Sequence, residues 1–179
     1  LVDKLGLSDI TLMVHDWGGA IGMGFAVRHP QKIKRLVLFN TAAFLSEKIP
    51  VRLKLCRIPG FADIAIRCFN AFALAAVGMA CKNKERMTDE VRAGYLAPYN
   101  NFANRIATLR FVQDIPMSSD AISYSVVKNI EEKLEQFKSL PIMIVWGAKD
   151  FVFNDHFLKK WQGIFPEAEV HHVQDAGHY

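Results

Sequence analysis

The sequence predicts an α/β chain built on a mostly parallel sheet, and three observations lead there. Short apolar runs near residues 10–15, 35–39, 142–146 and 169–173 read as strands. Helical stretches separate them, and strands joined by helical crossovers lie parallel. The run Leu12-Met13-Val14-His15-Asp16-Trp17-Gly18-Gly19-Ala20 places one acid between an apolar strand and a glycine pair that opens a helix. It reads as strand, tight turn and helix with Asp16 at the crest.

Taken in order, the chain opens in what reads as a helix, Leu1 to Gly6, before the first strand. At the crest a strained turn lifts one side chain clear of the sheet, and the glycines let the helix pack closely. A carboxylate there attacks carbon directly, needs no base at neutral pH and leaves an ester on the protein. The plainer role for Asp16 is a helix cap. The second strand ends on Phe39-Asn40-Thr41-Ala42, which holds no carboxylate. A helical insertion then runs from about Ser46 to about Ser125, punctuated by Pro50, Pro59-Gly60, Pro98 and Pro116. Its piece Phe61 to Cys81 is apolar almost all round, so it must be buried or line an apolar cavity. The piece Asn104 to Pro116 has apolar residues at helical spacing, and its arginines read as surface or ion-paired groups. Ile130 to Phe137 reads as an amphipathic surface helix. The strand at Pro141-Ile142-Met143-Ile144-Val145-Trp146 closes on Gly147 and then Asp150. A weaker strand, Glu169 to Val173, leads to Asp175-Ala176-Gly177-His178. An acid, a second acid and a histidine each follow a strand, where ligands gather in open parallel sheets.

The pieces HDWGGAIG, LVLFNTAAF, PIMIVWGAKD and DAGHY together resemble the aspartate-nucleophile branch of the α/β-hydrolase fold, the haloalkane dehalogenase-like proteins. The chain order nucleophile, acid, histidine is that family's order. The resemblance covers essentially the whole chain and implies the C-terminal part of a mostly parallel sheet with an inserted helical cap domain. It divides the chain into residues 1–45, the core with the nucleophile turn, 46–125, the cap, and 126–179, the core with the acid and histidine. It implies Asp16 as nucleophile, His178 as the base that activates water against the ester, and Asp150 as the acid that orients the histidine. Some relatives carry the acid after the preceding strand, where this chain reads Phe39-Asn40-Thr41-Ala42 with no carboxylate, so Asp150 is the better candidate. The family sheet has eight strands and the four here resemble its last four, so the sequence reads as a fragment. That fragment, expressed alone, is expected to be neither a stable monomer nor active, because its first strand would keep an unpaired edge.

Three chemistries share this nucleophile in the family: halide displacement, epoxide opening, and attack on a β-lactone with loss of carbon dioxide. The resemblance favours the dehalogenase-like hydrolase, with a small apolar substrate and water as co-substrate. Trp17 is the expected substrate-binding residue, through its indole N–H or its main-chain N–H. Val14 is more dehalogenase-like than the glycine common in epoxide hydrolases. Tyr95, Tyr99 and Tyr124 lie in the insertion and are suited, as phenolic donors, to epoxide opening. The insertion holds no tryptophan to serve as a second halide donor, and its NRIATLRFVQDIP run resembles the β-lactone decarboxylases of bacterial olefin synthesis. A small-molecule receptor on the same fold is the reading from outside enzymology.

A formal charge of +4 is too small and too dispersed to argue for nucleic acid or a membrane surface. Cys56, Cys68 and Cys81 show no paired or metal-like spacing and fit reduced thiols in a cytoplasm. No transmembrane helix or signal peptide is read, and no cofactor or metal is expected. His15 alternates away from the nucleophile and reads as a structural or supporting residue. His171 and His172, adjacent in a strand, point to opposite faces and do not read as a metal pair. Asp175 reads as a turn residue.

Overall fold

The computed structural model describes residues 1–46, 58 and 60–179. The four expected strands all form: β1 (Ile10–Asp16), β2 (Ile33–Thr41), β3 (Ile142–Gly147) and β4 (Glu169–Val173). They pair in parallel in the order β1-β2-β3-β4. Each strand therefore lies beside its predecessor and steps across the sheet in one direction. Right-handed crossovers then bring the connecting helices to one face.

That face holds the core. In register, Val14 faces Leu38 and Leu38 faces Ile144, while Leu36 pairs with Ile142. All five side chains are buried. They share one cluster with Met23 and Ala26 of α1 (Gly18–Ala26), Ile130 of α5 (Tyr124–Glu132), and Phe157, Leu158 and Trp161 of α6 (Asp155–Ile164). The opposite face is thinly covered: Met13 is 61 % exposed, and Val37 and Val145 are only partly buried. Among the described residues β1 has a neighbour on one side only.

Between β2 and β3 the described residues are helical. A π-helical segment, Asp63–Cys68, is followed by α2 (Ala71–Met79), α3 (Asp89–Leu96) and α4 (Ile106–Gln113). Pro50, Cys56 and Pro59 lie outside the described residues. The apolar piece Phe61 to Cys81 is two elements: Asn70 adopts φ 53° and turns the chain between them. α4 occupies the middle of the Asn104 to Pro116 piece. Arg105 donates to the carbonyls of Tyr99 and Arg67 at 2.7 Å each, and Arg110 to the Gln113 side chain.

Two helices differ from expectation. Residues Leu1 to Gly6 make a single turn, with Leu5 N–H on the Leu1 carbonyl at 3.0 Å, and Gly6 at φ 63° ends it. The helix expected over 130–137 starts earlier, at Tyr124, and breaks at Lys133 before the 3-10 turn Leu134–Phe137. Its apolar residues follow both segments, so Ile130, Leu134 and Phe137 are all buried. No helix among the described residues is long and apolar enough to cross a membrane.

At the β1–α1 junction the fit is tight. A Cβ on Gly19 would overlap the Thr41 side chain and lie 2.8 Å from the Ala42 carbonyl. The Thr41 hydroxyl donates to the Asp16 carbonyl, so the glycine, the threonine and the crest of the turn are one contact. Gly19→Ala should cost about 1–3 kcal/mol through this overpacking. Gly94→Ala on α3, where nothing lies within 4 Å of an added Cβ, should be neutral or gain up to about 1 kcal/mol. Urea unfolding of the full-length protein checks the pair, and equal effects would contradict the packing described.

Candidate active site

Asp16 ends β1 with φ 49°, a left-handed backbone that a non-glycine residue adopts at a cost of roughly 1–3 kcal/mol. The pairing of β1 with β2 is irregular there, jumping from Val14–Leu38 to Asp16–Thr41. The turn lifts the Asp16 side chain, 46 % exposed, out of the sheet and into a cavity of about 720 Å³. Trp17, the residue before α1, stands beside it and packs its ring 5.3 Å from Phe111 of α4. As the capping residue, its main-chain N–H belongs to the set a helix start leaves without intrahelical partners.

Asp150 arrives from the end of β3. It is 3 % exposed, and its Oδ1 accepts from the main-chain N–H groups of Val152 at 2.7 Å and Phe153 at 3.0 Å. Its Oδ2 lies 2.7 Å from His178 Nδ1. The far ring nitrogen, Nε2, is 3.5 Å from Asp16 Oδ2. The three candidate residues from three strand ends thus line up as carboxylate, imidazole, carboxylate.

The segment after β4 is anchored on both sides. Lys149 N–H donates to the Ala176 carbonyl and His178 N–H to the Ala80 carbonyl, both at 2.9 Å. Gly147 permits the first approach, since a Cβ there would meet the Ala176 carbonyl at 3.0 Å. Asp175 lies in the turn, away from the histidine's hydrogen bonds, as expected.

Burial disfavours a charged His178 ring, but the hydrogen bonds and negative charges of Asp150 and Asp16 outweigh it and raise its pKa from 6.5 to about 9. The ring is therefore an imidazolium at neutral pH. Loss of either negative charge would lower that pKa.

The structure adds detail at one residue read as supporting, His15, and brings in one that sequence reasoning passed over, Tyr179. His15 lies 4.5 Å from the His178 ring, centroid to centroid, and burial followed by the nearby His178 charge lowers its pKa. Strand alternation alone placed it away from the site, but the irregular end of β1 brings it back. Tyr179, adjacent to His178, lines the cavity and stacks at 4.7 Å on Tyr95; burial and then Asp16 raise its phenol to about 12. Of the three tyrosines weighed from sequence, Tyr99 lines the cavity, Tyr95 stacks on Tyr179, and Tyr124 begins α5. His171 and His172 take separate partners, Glu169 at 2.7 Å and Asp155 at 3.0 Å.

Most of the cavity wall is apolar and comes from the helices after β2, including Ile66, Phe72, Ala76 and Phe111. That is the use expected of a segment with almost no polar face. Trp17 is the one tryptophan of the sequence's three that lines it. Trp146 and Trp161 are fully buried and give their indole N–H groups to the carbonyls of Phe153 and Thr41.

Comparison with known proteins agrees with this fold. The family described as alpha/beta hydrolase fold matches residues 1–179. A cis-3-alkyl-4-alkyloxetan-2-one decarboxylase from Shewanella oneidensis is 46 % identical over 183 aligned residues, covering 100 % of this chain and 57 % of its own length. Another, from Xanthomonas campestris pv. campestris, is 41 % identical and covers 100 % of this chain and 60 % of its own. The crystal structure of a haloalkane dehalogenase from Bradyrhizobium elkani superposes with a TM-score of 0.88 at 21 % identity, covering 99 % of this chain and 63 % of that one. That likeness shows the shared fold. The chain spans about three-fifths of the length of these relatives.

The electrostatics make a prediction for the full-length protein. His178 should titrate near 9, and Asp16→Asn should bring it down, followed through the ring NMR signals. Because the pKa is raised on folding, the charged ring stabilises the fold fully below 6.5, and that contribution is lost as pH rises through about 9. A His178 pKa near 6.5 that ignores Asp16→Asn would contradict the arrangement.

Proposed function

Because the chain belongs to the α/β-hydrolase fold family, we propose that it carries the catalytic part of an aspartate-nucleophile enzyme that decarboxylates β-lactones with alkyl groups on the two saturated ring carbons. Asp16 is the nucleophile, His178 the ring that responds to its charge, Asp150 the acid that holds that ring, and Trp17 a donor to the leaving oxygen. Residues 46–125 act as the cap over the site. The observation that carries the reading is the identity of 46 % and 41 % with two cis-3-alkyl-4-alkyloxetan-2-one decarboxylases along the whole chain. The site is suited to it. An apolar cavity of about 720 Å³ has room for two alkyl arms.

The chemistry balances without water. A carboxylate oxygen of Asp16 bonds to the saturated, alkyl-bearing carbon next to the ring oxygen, the bond from that carbon to the ring oxygen breaks, and the lactone carboxyl is freed as a carboxylate. The C–C bond to the carboxylate then breaks, its electron pair forms the alkene, and the Asp16 ester bond breaks to return the carboxylate. Carbon dioxide and an alkene leave.

The dehalogenase-like reading expected from sequence shares the first step and differs in the second. An alkyl ester without a neighbouring carboxylate cannot fragment, so it needs water activated by His178. Trp17 beside the nucleophile serves this second reading equally well. Against it, the other two indole N–H groups are committed to main-chain carbonyls, which leaves one indole to hold a halide.

Turnover in heavy-oxygen water separates the two. The full-length protein should convert a cis-3,4-dialkyl-oxetan-2-one to alkene and carbon dioxide with no solvent oxygen entering the Asp16 peptide, and should release no halide from 1-bromoalkanes. Asp16→Asn should abolish alkene formation. Halide release with solvent oxygen in that peptide, and no alkene from the lactone, would establish the hydrolytic reading instead.

A further inference from the structure

Asn40, near the end of β2, is 5 % exposed, and its amide spends every hydrogen-bonding group on the segment that carries Asp150. Its Oδ1 accepts from Gly147 N–H at 2.7 Å. Its Nδ2 donates to the Gly147 carbonyl at 3.1 Å and to the Phe153 carbonyl at 3.2 Å. Those two residues are the feet of the loop 147–153.

The loop is closed from inside by Asp150 itself. Asp150 N–H donates to the same Gly147 carbonyl at 3.2 Å, and Asp150 Oδ1 accepts from Phe153 N–H at 3.0 Å. Asn40 is thus one shared carbonyl away from the Asp150 backbone, and one peptide group away from the N–H that holds the Asp150 carboxylate. The Phe153 carbonyl also receives Trp146 Nε1 at 3.0 Å, and the Phe153 ring lies 5.8 Å from that of His178. A buried amide with both hydrogens and its oxygen used in fixed directions is a rigid spacer, because any rotation leaves polar groups unpaired.

We infer that Asn40 is a positioning residue for the reaction: it sets the loop 147–153 so that the Asp150 carboxylate meets His178 Nδ1, and it wedges Phe153 against the ring. The inference rests on the proposed roles of Asp150 and His178. It also explains why the residue must be an amide. A carboxylate at position 40 would still accept from Gly147 N–H, but its second oxygen would face two carbonyl oxygens with no hydrogen between them. The charged or titratable groups around His178 are Asp16, Asp150, His15 and Tyr179, and Asn40 adds no charge to that set.

The test uses the full-length protein with Asn40→Ser, Asn40→Asp and Asp150→Asn, each alone, and Asn40→Ser combined with Asp150→Asn. Ring NMR follows the His178 titration, and alkene release from a cis-3,4-dialkyl-oxetan-2-one follows turnover. Asn40→Ser should lower the His178 pKa in the same direction as Asp150→Asn and slow turnover about 10- to 100-fold, the scale of a small misplacement. Asn40→Asp should lose more than Asn40→Ser; if it fails to fold, Asn40→Ser and the titration decide. On the Asp150→Asn background Asn40→Ser should cost almost nothing further, whereas a purely structural role would add its full cost again. A folded Asn40→Ser protein with parental titration and turnover, or full additivity in the pair, overturns the inference. An Asp150→Asn protein with parental titration and turnover would instead remove the assignment of Asp150, and the positioning role with it.

Discussion

Asp16 sits at φ 49°, where an L-residue is strained, and the rest of the site is arranged around holding it there. Three features share the restraint: the Thr41 hydroxyl on the Asp16 carbonyl, the absence of a side chain at Gly19 against Thr41, and a break in the β1–β2 register. Because β1 ends in this turn, its last carboxylate leaves the plane of the sheet instead of alternating within it. The parallel order β1-β2-β3-β4 then puts the ends of β3 and β4 alongside, so Asp150 and His178 need only short segments to reach it.

With the backbone so placed, the chemistry is governed by charge. His178 lies between two carboxylates at 2.7 Å and 3.5 Å, one buried and hydrogen-bonded by main-chain N–H groups, the other open to the cavity. The buried acid is fixed, while the open one is free to bond to carbon. In the proposed mechanism an ester on Asp16 would remove one of the two negative charges at the histidine, which would couple its two steps. Around this polar line the wall is apolar, so little else in the cavity competes for the reacting charge.

Much of this was legible in the sequence, for identifiable reasons. The strands announced themselves as apolar runs, and the turn at Asp16 carries its own glycines. Asp150 and His178 follow strands at positions the chain order makes conspicuous. What was hidden depends on contacts far apart in sequence or on backbone that no residue type marks. Asn40 read as the absence of an acid; its bonds to Gly147 and Phe153 span more than a hundred positions. Asn70 divides a mostly apolar run because it takes a left-handed backbone that asparagine tolerates but does not require. His15 read as a structural or supporting residue; its closeness to His178 was hidden because alternation holds within a regular strand, and β1 is irregular at that point. Tyr179 stood directly after His178, and that adjacency was the available signal.

The central claim is that the Asp16 carboxylate itself becomes bonded to the substrate. Rapid acid quench of the full-length protein during turnover of a cis-3,4-dialkyl-oxetan-2-one, followed by peptide mass spectrometry, tests it most directly. The account predicts that the peptide containing Asp16 gains the full mass of the lactone before alkene appears. Conversion of the lactone with no adduct on that peptide at any quench time would contradict it.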